Sequence, residues 1–289
     1  MKTSDILLLI MVAAIWGANF TVIRLGLDVT PPILLTAMRF IITAFPAVFF
    51  LPRPTVGWKM IVAIGLTLGL LMSLSQFAGI YLGAAPGISS VALQMQVVFT
   101  AIFAHIFLKE RLGWRDLLAI ALGVVGMLFI GWDALGKGSL VGLGLMIFAA
   151  MWWGAGNILV SRAQTNNVVA LMAWMSLVPI IPLFALSVWI EGPMTRTLFA
   201  LIHPKAVMAA LSLGLGVMII GYGIWGHMLQ KYDTGKVAPF SLLVPAFGLF
   251  FAHLILGEKI SQTQIIGVVF IVGALLTRAL PSEFGKVVS

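Results

Sequence analysis

Residues 103–111 read Phe-Ala-His-Ile-Phe-Leu-Lys-Glu-Arg, and residues 251–259 read Phe-Ala-His-Leu-Ile-Leu-Gly-Glu-Lys. The two copies of this Phe-Ala-His cassette lie 148 residues apart (251 minus 103) in a chain of 289 residues, so each half holds one copy. An internal repeat of this kind indicates an architecture built from similar units, and every other segment is interpreted in that light. The cassette indicates that the chain is a duplication of one structural unit.

The composition around the cassette is that of a membrane protein. Hydrophobic residues make up 61% of the chain and charged residues 9%, and the mean hydropathy is +1.13. Soluble domains carry roughly 25% charged residues, so this chain could not cover a soluble surface, and we predict an integral membrane protein. Cysteine is absent, which excludes disulfides, thiolate metal ligands and a cysteine nucleophile.

Ten segments are long and apolar enough to be spanning helices, which need about 20 mostly apolar residues. They lie at about 6–24, 33–51, 60–82, 88–108, 115–132, 139–161, 168–190, 206–229, 237–256 and 262–280. The breaker sequence 83–87 separates the third helix from the fourth, and Pro32 suits the first turn of the second. Residues 6–15 resemble a signal peptide, but we expect them to be retained, because the motif that follows has a later counterpart.

Further matches extend the repeat to the whole of each half. Trp16-Gly17-Ala18-Asn19 resembles 153–157, Trp-Gly-Ala-Gly-Asn, and 79–81, Gly-Ile-Tyr, resembles 223–225, Gly-Ile-Trp. We therefore predict an all-α integral membrane protein of ten transmembrane helices, with one repeat in residues 1–136 and a second in 137–289. Because five helices per repeat is an odd number, the second repeat enters the membrane from the opposite side, giving an inverted 5+5 architecture.

Basic residues predict the orientation, because cytoplasmic loops carry an excess of Lys and Arg. With the N-terminus inside, the cytoplasmic face holds Lys2, Arg53, Lys59, Lys109, Arg111, Arg115, Arg162, Lys231, Lys236, Arg278 and Lys286. The opposite face holds Arg24, Lys137, Arg196, Lys205 and Lys259. This asymmetry predicts that both termini are cytoplasmic. The formal net charge of +8 is then explained by loops that meet anionic lipid, and no nucleic-acid partner is expected.

Several motifs resemble a known family when they are taken in order along the chain. They are Trp16-Gly17-Ala18-Asn19-Phe20, Met38-Arg39-Phe40, residues 221–226 (Gly-Tyr-Gly-Ile-Trp-Gly), residues 238–245 (Ala-Pro-Phe-Ser-Leu-Leu-Val-Pro), and the helix-end Glu110 and Glu258. Over essentially the whole chain they resemble the EamA family of the drug/metabolite transporter superfamily. The resemblance implies a multi-pass exporter of small amino acids and their derivatives in the bacterial inner membrane, which we expect to act as a monomer.

Arg39 is the most informative charged residue, since it lies about two turns into the second predicted helix, where no Asp or Glu lies at comparable depth in any helix. A buried Arg costs several kcal/mol unless it is paired or hydrated. One interpretation is a guanidinium that faces a cavity and pairs with a substrate carboxylate. The alternative is an Arg that bonds helix-end carbonyls or reaches outward along the membrane interface.

Polar and aromatic side chains within the apolar helices are the other candidates. Trp16 and Asn19 share a helix face, as do Trp153 and Asn157, whereas Gln76 and Tyr81 do not. The full set of candidate substrate-binding residues is Trp16, Asn19, Arg39, Gln76, Tyr81, Gln94, Trp153, Asn157, Tyr222, Trp225 and Ser241. For the amides the alternative is structural bonding between helices, and for the aromatic residues it is packing.

Two pairs of polar residues carry more limited expectations. Gln94 and Gln96 lie two positions apart and are not expected to face the cavity together, and we favour Gln94. His105 and His253 could relay protons, or could simply lie in the last helical turn, where the helix dipole favours them.

The leading prediction is alternating-access export of a small metabolite that is anionic or uncharged overall, and an importer of the same fold is an alternative. A second alternative is polyspecific drug efflux, against which the absence of a mid-helix carboxylate counts. A third is a membrane enzyme acting on lipids. The four histidines are dispersed and the acidic residues lie near helix ends, so we predict no catalytic residues, metal or cofactor.

Overall fold

The computed structural model describes residues 1–45, 47–109, 113–137, 140–165, 167–192, 202–232 and 237–279, and these contain helices and turns but no strands. The helical segments are α1 (Thr3–Leu27), α2 (Pro32–Phe50), α3 (Trp58–Tyr81), α4 (Pro86–Leu108), α5 (Trp114–Lys137), α6 (Leu140–Ala163), α7 (Val168–Ile190), α8 (204–231), α9 (238–256) and α10 (Gln262–Ala279). Segments α1 to α8 are long and apolar enough to cross a membrane, while α9 and α10 contain shorter apolar helices.

The predicted all-helical membrane fold is thus confirmed for the described residues. The expectation that α9 and α10 also cross the membrane, which would complete ten spans, stays a prediction.

The helix boundaries follow from local chemistry. Pro32 and Pro86 each occupy a first-turn position, where the missing N–H costs nothing. Between α3 and α4, Gly83 has a φ of 100°, which a side chain rarely permits, and this explains the predicted reversal at 83–87. Within each cassette copy the helix ends at a residue of left-handed conformation, Lys109 in the first copy and Gly257 in the second, at the same position of the repeat.

Among the described residues, four helical segments contain a π-helical or 3-10 stretch, and these four form two pairs. Segment α3 is π-helical over Gly65–Met72, and α8 is π-helical over Ser212–Gly221. Segment α4 has a 3-10 turn at Leu93–Met95, and α9 begins with one at Ala238–Leu242. The members of each pair occupy corresponding places in the two halves, with the π-helical starts 147 residues apart (212 minus 65). Such irregular turns are frequent at functional sites.

Close contacts between the halves are also paired. A Cβ on Gly17 of α1 would lie 2.5 Å from the Cβ of Phe247 on α9, and one on Gly154 of α6 would lie 2.8 Å from the Cβ of Phe99 on α4. Phe247 and Phe99 are 148 residues apart, the same offset as the cassette. The first helix of each half therefore packs on the fourth helical segment of the other half, with glycine allowing the close approach.

Segments α5 and α10 form a separate pair. A Cβ on Gly126 would lie 2.7 Å from the carbonyl oxygen of Gly267, and a Cβ on Gly267 would lie 2.7 Å from the carbonyl oxygen of Gly126. Phe129 and Phe270 stack beside this contact, with ring centroids 5.8 Å apart. The remaining segments surround a central cavity. Among the described residues, α5 and α10 contribute none to its lining and pack against each other outside it.

Candidate functional site

A cavity of about 310 Å³ lies between α1–α4 and α6–α9. This volume is near the lower end of the range for small-molecule sites, about 300–1,000 Å³. Ten of the eleven candidate residues line it, namely Trp16, Asn19, Arg39, Gln76, Gln94, Trp153, Asn157, Tyr222, Trp225 and Ser241. All four irregular helical stretches also contribute to its wall, through Leu68, Val217, Leu93 and Ser241.

Arg39 lies in the cavity wall on α2 and is only 5% exposed. Its Nη2 donates a hydrogen bond to the Sδ of Met218 at 3.1 Å, while Nε and Nη1 have no hydrogen-bond partner among the described residues. The guanidinium carbon lies 5.4 Å from the ring centroid of Phe40 and 5.8 Å from that of Phe77. Arg39 therefore neither reaches outward nor bonds helix-end carbonyls. The buried guanidinium therefore has two nitrogens, Nε and Nη1, that donate no hydrogen bond to the described residues.

Three aromatic residues from α1 and α8 form one packed group in the wall. The ring of Trp16 lies 5.1 Å from that of Tyr222 and 5.2 Å from that of Trp225, centroid to centroid. Trp16 Nε1 donates to the carbonyl oxygen of Val217 at 3.3 Å, a carbonyl in the π-helical stretch of α8. A Cβ on Gly221 would lie 2.5 Å from Trp16 Nε1, so this glycine makes room for the ring.

The two repeated asparagines have different surroundings. Asn157 Nδ2 donates to Gln96 Oε1 at 2.7 Å and to Thr100 Oγ1 at 3.0 Å, so the amide joins α6 to α4 while also lining the cavity. Asn19 is 7% exposed, and its Oδ1 has no hydrogen-bond partner among the described residues. Structural hydrogen bonding between helices, the alternative proposed for both asparagines, is therefore observed for Asn157. Asn19 lines the cavity and carries a buried acceptor that no described residue satisfies.

Two of the expectations about placement were wrong. Tyr81 does not line the cavity and is 53% exposed at the end of α3, because a spacing of five from Gln76 turns it to another face. Gln96 lines the cavity together with Gln94, although regular α-helical spacing had excluded that. Gln94 lies within the 3-10 turn Leu93–Met95 and Gln96 directly follows it, so the altered winding lets both side chains reach the cavity.

Sequence reasoning missed most of the apolar lining. The additional residues are Phe20, Leu68, Met72, Leu93, Val160, Val168, Met172, Val217 and Val244. Segment α7 was not expected to contribute at all, yet Val168 and Met172 lie in the wall. An apolar residue in an apolar helix carries no signal that separates cavity from lipid or core, so these residues could not have been identified in advance.

Carboxylates hold helix ends outside the cavity. Glu191, after α7, accepts hydrogen bonds from the backbone N–H groups of Ile33 and Leu34 at 2.6 and 2.9 Å, and from the hydroxyl of Ser187 at 2.7 Å. Burial raises the pKa of the Glu191 carboxyl, against the opposing effect of these three donors. Because Ile33 and Leu34 begin α2, Glu191 fixes the start of the helix that carries Arg39.

Glu258 makes a similar contact in the second cassette. Its Oε2 accepts a hydrogen bond from the backbone N–H of Gly87 at 3.0 Å, at the start of α4. Burial raises the pKa of the Glu258 carboxyl, while the hydrogen bond from Gly87 and the charge of Arg24 lower it. Ala252 and Glu258 therefore both contact α4 at Gly87, so the second cassette packs against the first half of the chain. The matching Glu110 lies outside the described residues.

The two cassette histidines lie in the last turns of α4 and α9, as expected. His253 Nδ1 is 2.9 Å from the backbone oxygen of Glu258, so it meets the peptide group and not the carboxylate. Within the described ranges, no group of three or more His, Cys, Asp or Glu residues is placed to hold a metal ion.

Comparison with known proteins identifies the family. The EamA-like transporter family matches residues 3–132 and, a second time, residues 140–278. The chain belongs to this family and is therefore a multi-pass membrane transporter with a small-molecule substrate.

Two curated relatives carry the same name, "Probable amino-acid metabolite efflux pump". The chain is 36% identical to the protein from Escherichia coli (strain K12), over 100% of this chain and 99% of the relative. It is also 36% identical to the Salmonella typhimurium protein, over 95% of this chain and 94% of the relative. A crystal structure with a TM-score of 0.59 and 18% identity covers 96% of this chain and 97% of its own, and it supports the fold alone.

Proposed function

We propose that this protein is a bacterial inner-membrane secondary transporter that exports small amino acids or related metabolites. The observation that carries the proposal is Arg39, a buried guanidinium with two unpaired nitrogens in the wall of an amino-acid-sized cavity. A carboxylate is the natural partner for such a group, because paired charge-assisted hydrogen bonds repay the cost of burial. The names of the two relatives, which refer to amino-acid metabolites, point to the same substrate class.

The transport mechanism we propose is alternating access between two inverted repeats, residues 1–136 and 137–289. The two separate family matches, the paired π-helical stretches and the paired α1–α9 and α6–α4 contacts support this division. Two similar units of opposite orientation can exchange conformations, which gives inward-open and outward-open states of similar energy. The broken helices meet at the cavity, where irregular backbone is tolerated because protein and not lipid surrounds it.

The cavity extends toward one face of the molecule. Its lining includes Val160 near the end of α6 and Val168 at the start of α7. In the proposed topology this connection lies on the cytoplasmic face, where α1 also begins. We propose that the substrate enters the cavity from this side during export.

Counterflow in proteoliposomes tests the proposed function. Purified protein is reconstituted with unlabelled amino acids or derivatives inside, and uptake of the labelled compound is measured with and without a proton gradient. We expect exchange of small carboxylate-bearing metabolites, and at least about a tenfold loss in Arg39→Gln, because a buried charge pair loses one partner. Exchange of hydrophobic cations without any amino acid or derivative would contradict the proposal and favour drug efflux.

Cysteine labelling tests the orientation, because the natural chain has no cysteine. Gly57, just before α3, is exposed, and an added Cβ there would meet no atom within 4 Å. Lys259, just after α9, is also exposed. In intact cells, a membrane-impermeant maleimide should label Lys259→Cys and leave Gly57→Cys unlabelled until the membrane is opened. Labelling of both positions from outside, or of Gly57→Cys alone, would contradict the proposed topology.

A further inference from the structure

The charge balance of the cavity restricts its substrate further, on the basis of the proposed function. Among the lining residues that the structure describes, Arg39 alone is charged. The other polar lining residues are neutral amides, aromatic groups with a polar atom and one hydroxyl: Asn19, Gln76, Gln94, Gln96, Asn157, Trp16, Trp153, Trp225, Tyr222 and Ser241. We propose that the preferred substrate is a small carboxylate of net charge −1 whose nitrogen or hydroxyl is uncharged, such as an N-acyl amino acid.

The first argument is electrostatic. An unneutralised charge in the membrane interior costs several kcal/mol. A monoanion brings the loaded cavity to zero net charge, whereas a zwitterion leaves it at +1 and a cation raises it to +2. This preference for a monoanion over a zwitterion or a cation depends on the net charge of the cavity and its substrate together. It does not depend on where the apolar part of the substrate lies.

The second argument concerns the ammonium group that a zwitterionic amino acid would bring. An aromatic cage holds a cation within about 6 Å of each ring face and needs open space between the rings. Here the centroids of Trp16, Tyr222 and Trp225 are 5.1 and 5.2 Å apart, so the rings occupy the space that an ammonium would need between them. No carboxylate among the described lining residues compensates for this.

The third argument is the unsatisfied acceptor at Asn19. Its buried Oδ1 has no partner among the described residues, although buried polar atoms nearly always have one. A neutral amide N–H or a hydroxyl satisfies this oxygen without adding charge. Arg39 and Asn19 together therefore match a molecule that carries one carboxylate and one neutral donor.

Competitive counterflow tests this inference with three compounds of the same size class: N-acetyl-L-alanine, an anion; L-alanine, a zwitterion; and L-alaninamide, a cation. We expect N-acetyl-L-alanine to exchange at least about tenfold faster than L-alanine, and L-alaninamide not to exchange. Arg39→Gln should abolish the preference for the anion. The control is Gly144→Ala, because Gly144 has no atom within 4 Å of its added Cβ and does not line the cavity.

The outcomes separate this inference from the proposed function. If L-alanine exchanges as fast as N-acetyl-L-alanine, the charge preference is overturned and amino-acid transport stands. If neither compound exchanges while tetraphenylphosphonium does, both are overturned. If nothing exchanges, thermal unfolding of the detergent-purified protein decides: a rise in the unfolding temperature with N-acetyl-L-alanine, lost in Arg39→Gln, supports the inference, and no rise overturns it.

Discussion

At the scale of single residues, the cavity depends on a few side chains whose surroundings are asymmetric between the repeats. The amide of Asn157 is bonded to Gln96 and Thr100, while its counterpart Asn19 keeps an unsatisfied acceptor. Arg39 has no charged counterpart in the wall within the described part of the chain. The two halves are thus similar in helical framework, but the charged residue of the cavity wall belongs to the first half.

Gly221 tests how closely the aromatic group is fitted. In Gly221→Ala, the added Cβ would lie 2.5 Å from Trp16 Nε1, so the indole must move and its hydrogen bond to Val217 is lost. We expect reduced substrate exchange, a shifted tryptophan fluorescence maximum and a loss of about 1–3 kcal/mol of stability from overpacking. Gly226→Ala is the control, because its nearest neighbour would be Val168 Cβ at 3.9 Å. Equal behaviour of the two variants would refute a role for this close fit.

Glu191 leads to a pH prediction. Burial raises the pKa of its carboxyl above the ordinary value of 4.5, so the folded protein binds this proton more readily than the unfolded chain does. The stabilisation is fully present below pH 4.5 and is lost as the pH rises through the folded-state pKa. Glu191→Gln should therefore show a smaller fall in unfolding temperature than the natural protein between about pH 4.5 and about pH 7.5. A difference between the two proteins that is constant across this range would exclude the effect.

At the scale of helical elements, glycine pairs determine which segments can approach each other. The reciprocal contact of Gly126 and Gly267 brings α5 and α10 together backbone to backbone. Neither segment contributes a residue to the cavity lining within the described part of the chain. Stability and substrate binding should therefore be separable in these two helices.

Gly126→Ala tests that separation. Its added Cβ would lie 2.7 Å from the carbonyl oxygen of Gly267, and backbone cannot move aside cheaply. We expect a loss of about 1–3 kcal/mol of stability with an unchanged KM for exchange. In the control Gly131→Ala, on the same helix, the nearest atom would be Leu143 Cδ2 at 4.0 Å. A changed KM at unchanged stability would show that α5 takes part in binding.

At the scale of the whole molecule, contacts at the helix ends join the two halves. Asp5 near the start of α1 accepts a hydrogen bond at 2.8 Å from Nζ of Lys231, the last residue of α8, and one at 2.5 Å from the hydroxyl of Tyr232, which follows α8. Glu258 joins α9 to α4 by its bond to Gly87. Under the alternating access that we propose, such contacts would break and re-form at the two faces in turn.

Charge reversal tests the Asp5 contact. Asp5→Lys and Lys231→Asp each place like charges together, and we expect each to lower the unfolding temperature and the rate of exchange. The double variant Asp5→Lys, Lys231→Asp should recover most of both, because the attraction is restored with the partners exchanged. Recovery should weaken at high salt, since Lys231 is partly exposed. A double variant as impaired as the worse single one would show that the ion pair is unimportant.

The amino-acid sequence alone determined the class of the protein, because hydropathy and the spacing of breakers report directly on a membrane environment. The sequence also indicated the helices and the repeat. Of the eleven candidate residues chosen from the sequence, ten line the cavity, because a polar or aromatic side chain is conspicuous in an apolar helix. Only the tertiary structure put Arg39 in the cavity wall and bonded Asn157 to α4. It also left Tyr81 outside the cavity and brought Gln96 and the apolar residues of α7 into the wall. The physical reason is that helix winding and interhelical packing set the direction of each side chain, and a 3-10 or π-helical turn changes that direction without leaving a mark in the pattern of residues.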